Sequence, residues 1–253
     1  MKCKPTVKDV YNYIDSIAPF NTQCEWDNCG IIVGDSLNEV NKIAVVLDIT
    51  PEAIEKAAEF NADLIISHHP VIFKAVKRFT DNDPAFLLAK HGIAAICAHT
   101  SLDAAAGGVN DTLAATLGFE ASPMTECGEA AMVRVALTNE TTGVELAKLC
   151  VEKLKTGVRL ADSGKKIRKI AFCGGGGACF INDVCAAECD AYITGDVSHH
   201  EFLDAKALGL TIIAAGHFET ENPVVAVLAE KLKENFETEV VIIEQPSPVT
   251  YHI

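Results

Sequence analysis

The sequence predicts an α/β protein layered around a largely parallel sheet, and three observations carry that reading. From Trp26 onward, short β-branched runs alternate with helical stretches, the pattern of helices packed on a sheet. Each run is nearly continuously apolar, as a strand covered on both faces should be. A helix start signal follows the first strand: Thr50 stands where an N-cap belongs, with Pro51 at the first helical position.

Taken in order, the opening MKCKPTVKDVYNYI reads as an amphipathic helix, KIAVVLD (42–48) as a strand and PEAIEKAAEF as the helix that Thr50 caps. ADLIISHH, GIAAICAHTSLD, KIAFCGGGG, CDAYITGDVSHH and LTIIAAGHFETE repeat the theme of an apolar strand ending in polar residues. Between Ala121 and Asp162 the texture changes. AMVRVALT reads as a strand with a polar-tolerant face, and Thr142–Lys155 has helical apolar spacing at Val144, Leu146, Leu149 and Leu154. A domain boundary is therefore expected near 125. EVVIIE (239–244) resembles the first half in character, so residues 1–125 plus 211–253 are expected as one domain and 126–210 as the second.

Composition narrows the function. With 49% hydrophobic and 22% charged residues and a mean hydropathy of +0.20, the chain buries a core, which excludes disordered, collagen-like and coiled-coil classes. A net charge of −14 argues against a nucleic-acid backbone or an anionic membrane as main partner, so an anionic ligand needs a local basic patch. No apolar run approaches the ~18 residues of a membrane span, and the N-terminal segment does not read as a signal peptide, so a cytoplasmic protein is expected. The ten cysteines contain no CxxC and are expected as reduced, mostly buried thiols.

Polar residues gather where the strands end: His68 and His69, His99 and Asp103, Asp196 with His199 and His200, and His217 with Glu221. Parallel α/β sheets bind ligands outside the carboxyl ends of their strands. Six of the eight histidines fall there, with His91 at a helix end and His252 unplaced. A single such histidine is most simply a paired core residue, but six converging ones are harder to explain that way. Three imidazoles and two carboxylates exceed the roughly three protein ligands of a catalytic zinc, whereas two metals sharing a bridging carboxylate use all five. Mixed nitrogen and oxygen donors suit zinc, iron or manganese.

Other features have two readings. In SHHP (67–70) both histidines can face one ligand only if the chain is already turning, and Pro70 favours that. Ser198 and Glu201 fit a capping box opening the helix EFLDAKALG, which puts His199 and His200 in its first turn. The macrodipole disfavours imidazolium there, and a neutral ring suits proton acceptance. FCGGGGAC (172–179) contains Gly174–Gly177 after a strand; it lacks both phosphate-loop fingerprints and is either a backbone anion site or a close-packed turn. Lys74, Lys77 and Arg78 are a solvated face or a triphosphate site.

At these residues the chain resembles the dinuclear-metal, toroidal family of GTP cyclohydrolase 1 type 2 homologues, from end to end. WDNCGIIVGD (26–35) matches the family's opening, and LDIT, IISHHPVIFK, AHTSLDAAAGGVND, FCGGGGA, AYITGDVSHHE and AAGHFETE follow in family order. Longer members carry an inserted central domain for which 253 residues leave no room, so the short form is expected. The resemblance implies two interlaced three-layer α/β domains with largely parallel or mixed sheets, assembled as a homohexameric ring. It implies His68, His69, Asp103, His217 and Glu221 as ligands of two divalent metals, leaving His99, His199 and His200 as neighbours. The implied activity is hydrolysis of GTP to formate and dihydroneopterin triphosphate, with His199 or His200 shuttling the proton. A phosphoesterase with the same site, or a ring-forming metal-binding scaffold without turnover, would use the same ligands.

Overall fold

The structure is a computed structural model that describes residues 4–126 and 128–250; residues 1–3, Cys127 and His252 lie outside them. The chain forms two compact units, one made of the chain through Ala106 together with Val225–Pro246, the other of Gly107–Val224 with the segment from Ser247.

The first unit holds a five-stranded mixed sheet of β1 (Gly30–Val33), β2 (Lys42–Val46), β3 (Leu64–Ser67), β4 (Ala94–Cys97) and β11 (Glu239–Ile242), in the order β1-β4-β3-β2-β11. β11, β2, β3 and β4 run parallel, and β1 pairs antiparallel with β4 at the edge. β2, β3 and β4 are buried almost throughout, which explains their unbroken apolar sequence. Before β2 comes α1 (Val7–Ile17), opened by a capping box in which the Thr6 N–H donates to Asp9. The predicted cap of α2 (Pro51–Phe60) is present: Thr50 Oγ1 accepts from the Ala53 N–H at 3.1 Å, and Asn61 ends the helix left-handed at φ 58°. Ile54 and Ala57 of α2 pack with Leu87 and Leu88 of α3 (Pro84–His91) and with Ala44, Val46 and Ile65 from the sheet.

In the second unit a six-stranded mixed sheet has the order β5-β6-β8-β9-β10-β7, with β5 (Ser122–Pro123), β6 (Arg134–Thr141), β7 (Arg159–Ala161), β8 (Ile167–Cys173), β9 (Ala191–Thr194) and β10 (Thr211–Ala214). Its centre, β8, β9 and β10, is parallel; β5, β6 and β7 are added antiparallel. α5 (Val109–Thr116) and α6 (Gly143–Leu154) bury Leu113, Ala114, Leu146 and Cys150 against Ile170, Phe172, Ile193 and Ile213.

The units differ from the expected boundaries at 125 and 211. β10 pairs in register with β9, Thr211 opposite Ala191 and Ala214 opposite Thr194, so the stretch after Leu210 extends the second sheet. α5 likewise feeds the second core. The return to the first unit is real but later, through α10 (Pro223–Asn235) into β11, which pairs with β2. His217 and Glu221 consequently belong to the second unit, not the first.

Candidate metal centre

In the first unit the donors sit just beyond the ends of the parallel strands. β3 stops at Ser67, whose hydroxyl donates to the His69 carbonyl at 2.7 Å while the His69 N–H donates to the Leu47 carbonyl at 3.0 Å. The chain is thus turning at the two histidines, as the sequence reading expects. His68 is buried, and its Nδ1 lies 3.0 Å from the Ala98 carbonyl oxygen. A carbonyl only accepts, so Nδ1 carries a proton, and Nε2 is the ring nitrogen turned toward the Asp103 carboxylate at 3.7 Å. Asp103 is on the short helix α4 (Thr100–Ala104) that follows β4.

The other imidazoles are held in the same way. His69 Nδ1 is 2.8 Å from Asp48 Oδ1, and His99 Nδ1 is 2.9 Å from Asp27 Oδ1. One ring nitrogen from each of His68, His69 and His99 falls within 4.8 Å of the others. Burial raises the Asp27 carboxyl, but hydrogen bonds from His99 and Thr100, the His99 charge and the Asn28 N–H outweigh it and hold it well below the ordinary carboxylate range. Beneath His99, the Cys29 sulfur accepts the His99 N–H at 3.3 Å, and a hydrogen bond from Cys97 lowers its thiol in spite of burial. All eight described cysteines are free thiols, five of them buried.

The second unit repeats the device. α9 (His217–Glu221) follows β10, placing His217 and Glu221 one helical turn apart on one face. His217 Nδ1 is 2.7 Å from Asp196 Oδ2 beyond the end of β9, and Nε2 is 3.1 Å from Glu221 Oε2. Glu221 is buried.

The glycine run makes room for this pair. Gly175 has φ +57°, and a Cβ there would come within 1.9 Å of Glu221 Oε1 and 3.1 Å of His217 Nε2. The N–H groups of Gly174 and Gly175 donate to Asn110 Oδ1 at 2.7 Å and to Thr220 Oγ1 at 3.1 Å. These two N–H groups are used within the protein, and the turn packs closely on Glu221 and His217.

The remaining sequence-predicted residues fall as follows. α8 (His199–Leu208) opens with the predicted capping box: the Ser198 N–H and hydroxyl donate to Glu201 Oε2 at 2.6 and 2.7 Å. His199 and His200 are exposed in its first turn, with His200 Nδ1 2.9 Å from Ser198 Oγ. Lys74, Lys77 and Arg78 are exposed on the loop between β3 and α3. His91 is apart from the cluster, 3.3 Å from Glu55. Sequence reasoning missed Asp27 and Asp48, although Asp48 closes the KIAVVLD strand and the strand-end rule applied to the histidines reaches it equally.

A family model described as Duf34/NIF3 (NGG1p interacting factor 3) matches residues 5–248. The chain belongs to that family. Within it, a Clostridium perfringens protein named GTP cyclohydrolase 1 type 2 homolog is 37% identical over 250 residues, covering 94% of this chain and 95% of its own length. A Helicobacter pylori protein named GTP cyclohydrolase 1 type 2 is 34% identical over 238 residues, covering 89% and 91%. Among solved structures, a Staphylococcus aureus hypothetical protein superposes with a TM-score of 0.89 at 27% identity, over 99% of this chain and 100% of its own. Reduced HcgD from Methanocaldococcus jannaschii gives a TM-score of 0.83 at 27% identity, over 95% and 98%. The Duf34/NIF3 chain described here carries His and Glu side chains that could hold a metal ion, and no described helix is long and apolar enough to cross a membrane.

Proposed function

We propose that this protein is a dinuclear metal-dependent hydrolase that opens the imidazole ring of guanine in GTP, releasing formate and giving dihydroneopterin triphosphate. The observation that carries the reading is donor chemistry. In both units an imidazole whose Nδ1 is hydrogen-bonded to an oxygen turns its Nε2 toward a carboxylate, His68 to Asp103 at 3.7 Å and His217 to Glu221 at 3.1 Å. A neutral imidazole nitrogen and a carboxylate so placed are both electron-pair donors, the mixed set that a divalent cation takes. The residues therefore fit a metal.

In this reading His68, His69 and Asp103 with His217 and Glu221 hold two divalent ions, and their mixed N and O donors suit zinc, iron or manganese. Such ions supply Lewis acidity and an activated water at neutral pH. Asp48, Asp196 and the Ala98 carbonyl fix the imidazole tautomers from behind, as outer partners of metal-binding histidines do. His199 or His200 accepts and returns the proton, and Lys74, Lys77 and Arg78 take the triphosphate. The names of the Clostridium perfringens and Helicobacter pylori relatives support the choice of GTP. The resemblance adds a cytoplasmic homohexameric ring.

The test is metal-reconstituted protein assayed against GTP and a nucleotide panel, with formate and phosphate read separately. Formate without phosphate supports ring opening. Phosphate alone would make the protein a phosphoesterase, and neither product a metal-binding scaffold.

A further inference from the structure

Beside the imidazole cluster of the first unit stand two aromatic rings that the core does not use. Trp26 is 54% exposed and Phe73 45% exposed. Their centroids are 5.6 Å apart with planes at 55°, and each lies 6.1 Å from the His99 ring, at 72° and 81°. His99 is in turn 5.1 Å from His68 and 5.5 Å from His69. The aromatic corner thus adjoins the donor histidines directly.

Three consecutive residues hold the corner together. Trp26 supplies one ring. Asp27 fixes the His99 ring through Nδ1 at 2.9 Å. Asn28 donates from Nδ2 to the Ile72 carbonyl at 2.7 Å, tying down the backbone just before Phe73. Lone exposed aromatics need no explanation, but a pair in mutual contact, anchored by its own neighbours and sharing a histidine with a metal-type cluster, is preorganised for a ligand. Aromatic rings hold flat heterocycles by stacking, and any base offers a face for it. Lys74, Lys77 and Arg78 follow Phe73 on the same exposed loop, a local basic patch in a chain of net charge −14.

We propose that Trp26 and Phe73 form a stacking site for the planar heterocycle of a phosphorylated ligand, whose phosphates the Lys74, Lys77 and Arg78 loop receives. This rests on the nucleotide reading above and names the residues that hold the base.

Trp26 is the single tryptophan of the chain, so its emission reports the site without a label. In the full-length, metal-loaded protein, GTP and guanosine should quench that emission saturably, while inorganic tripolyphosphate should leave it unchanged. Phe73→Leu should weaken guanosine binding by roughly 5- to 150-fold, the range that one base–aromatic stack is worth, and Phe73→Tyr should restore it. Lys77→Ala should weaken GTP more than guanosine. Absence of quenching by both GTP and guanosine, or quenching indifferent to Phe73→Leu, overturns the proposal. So does emission that follows protein concentration instead of nucleotide, which would make the corner a contact between copies of the chain. Elemental analysis of the same samples separates this from the metal reading: two metals without quenching sink only the stacking site, and quenching without metals sinks only the centre.

Discussion

Asp48 Oδ1 lies 2.8 Å from His69 Nδ1, so that the acid beyond the end of β2 holds the imidazole beyond the end of the adjacent parallel strand β3. The second unit builds the same relationship from the adjacent parallel strands β9 and β10, where Asp196 holds His217 at 2.7 Å. Neighbouring strand ends are the natural place for such a pair, because the ladder fixes their separation before any side chain is chosen. An outer carboxylate keeps the proton on Nδ1 and raises the basicity of Nε2. Asp48→Asn should therefore lower metal affinity by about 10–100-fold while leaving the fold intact, measured by chelator competition beside a thermal melt. An unchanged affinity would remove Asp48 from the centre.

Gly175 gives the second test, because its neighbour is a control. At φ +57° an alanine Cβ would collide with the Glu221 carboxylate, and forcing a side chain into a left-handed conformation costs on the order of 1–3 kcal/mol by itself. Gly176 has φ −82° and nothing within 4 Å of a Cβ, so Gly176→Ala should stay within about 0.5 kcal/mol of the parent. The expected outcome is that Gly175→Ala loses stability and metal together and Gly176→Ala loses neither. Equal behaviour of the two variants would show that the loop does not shape the site.

Much of this was legible in the sequence, for identifiable reasons. Burial on both faces makes the parallel strands read as apolar runs, and the caps at Thr50 and Ser198 need only local chemistry. The strand-end rule gathered His68, His69, His99 and His217 without a structure. What escaped depends on partners distant in sequence. Nothing local shows that LTIIAAGH pairs with β9, so the boundary at 211 was misplaced. In AMVRVALT the pattern inverts: Arg134 is buried, engaged by Asp111 and by the Ala131 carbonyl at 2.6 Å, whereas Leu137 is 79% exposed. The role of Gly175 follows from the Glu221 carboxylate, 46 positions away in the numbering.

Asp27 makes a prediction about acid stability. Its carboxyl is held well below the ordinary range in the folded protein, chiefly by the His99 and Thr100 hydrogen bonds acting against burial. A group with a depressed folded pKa contributes stability that is complete above its unfolded value, about 3.9, and is lost as the pH falls from there through the folded value. Denaturant melts of the parent should lose stability steeply below about pH 4, and Asp27→Asn should be less stable at neutral pH with a flatter acid limb. Parallel acid limbs would mean that other carboxylates carry the effect.

The last prediction separates the two histidines of α8 from the metal ligands. His199 and His200 are exposed, and His200 is engaged only locally in what the structure shows of its ring, with Ser198 Oγ at 2.9 Å from Nδ1. Exposed substitutions away from special features change stability by about 0.5 kcal/mol or less, so alanine at either position should barely move the melt. If one of them relays the proton, its removal should slow turnover by about 10²–10⁴, the usual worth of a general acid or base, with metal content near that of the parent. Glu221→Gln should instead weaken metal binding and activity together, because Glu221 is buried against His217. Helix packing alone predicts the reverse for the histidines, a shifted melt with an unchanged rate per folded molecule. Kinetics, melts and elemental analysis on the same preparations decide it: if both alanine variants turn over at the parental rate, neither histidine moves the proton, and that role passes to a residue nearer the imidazole cluster.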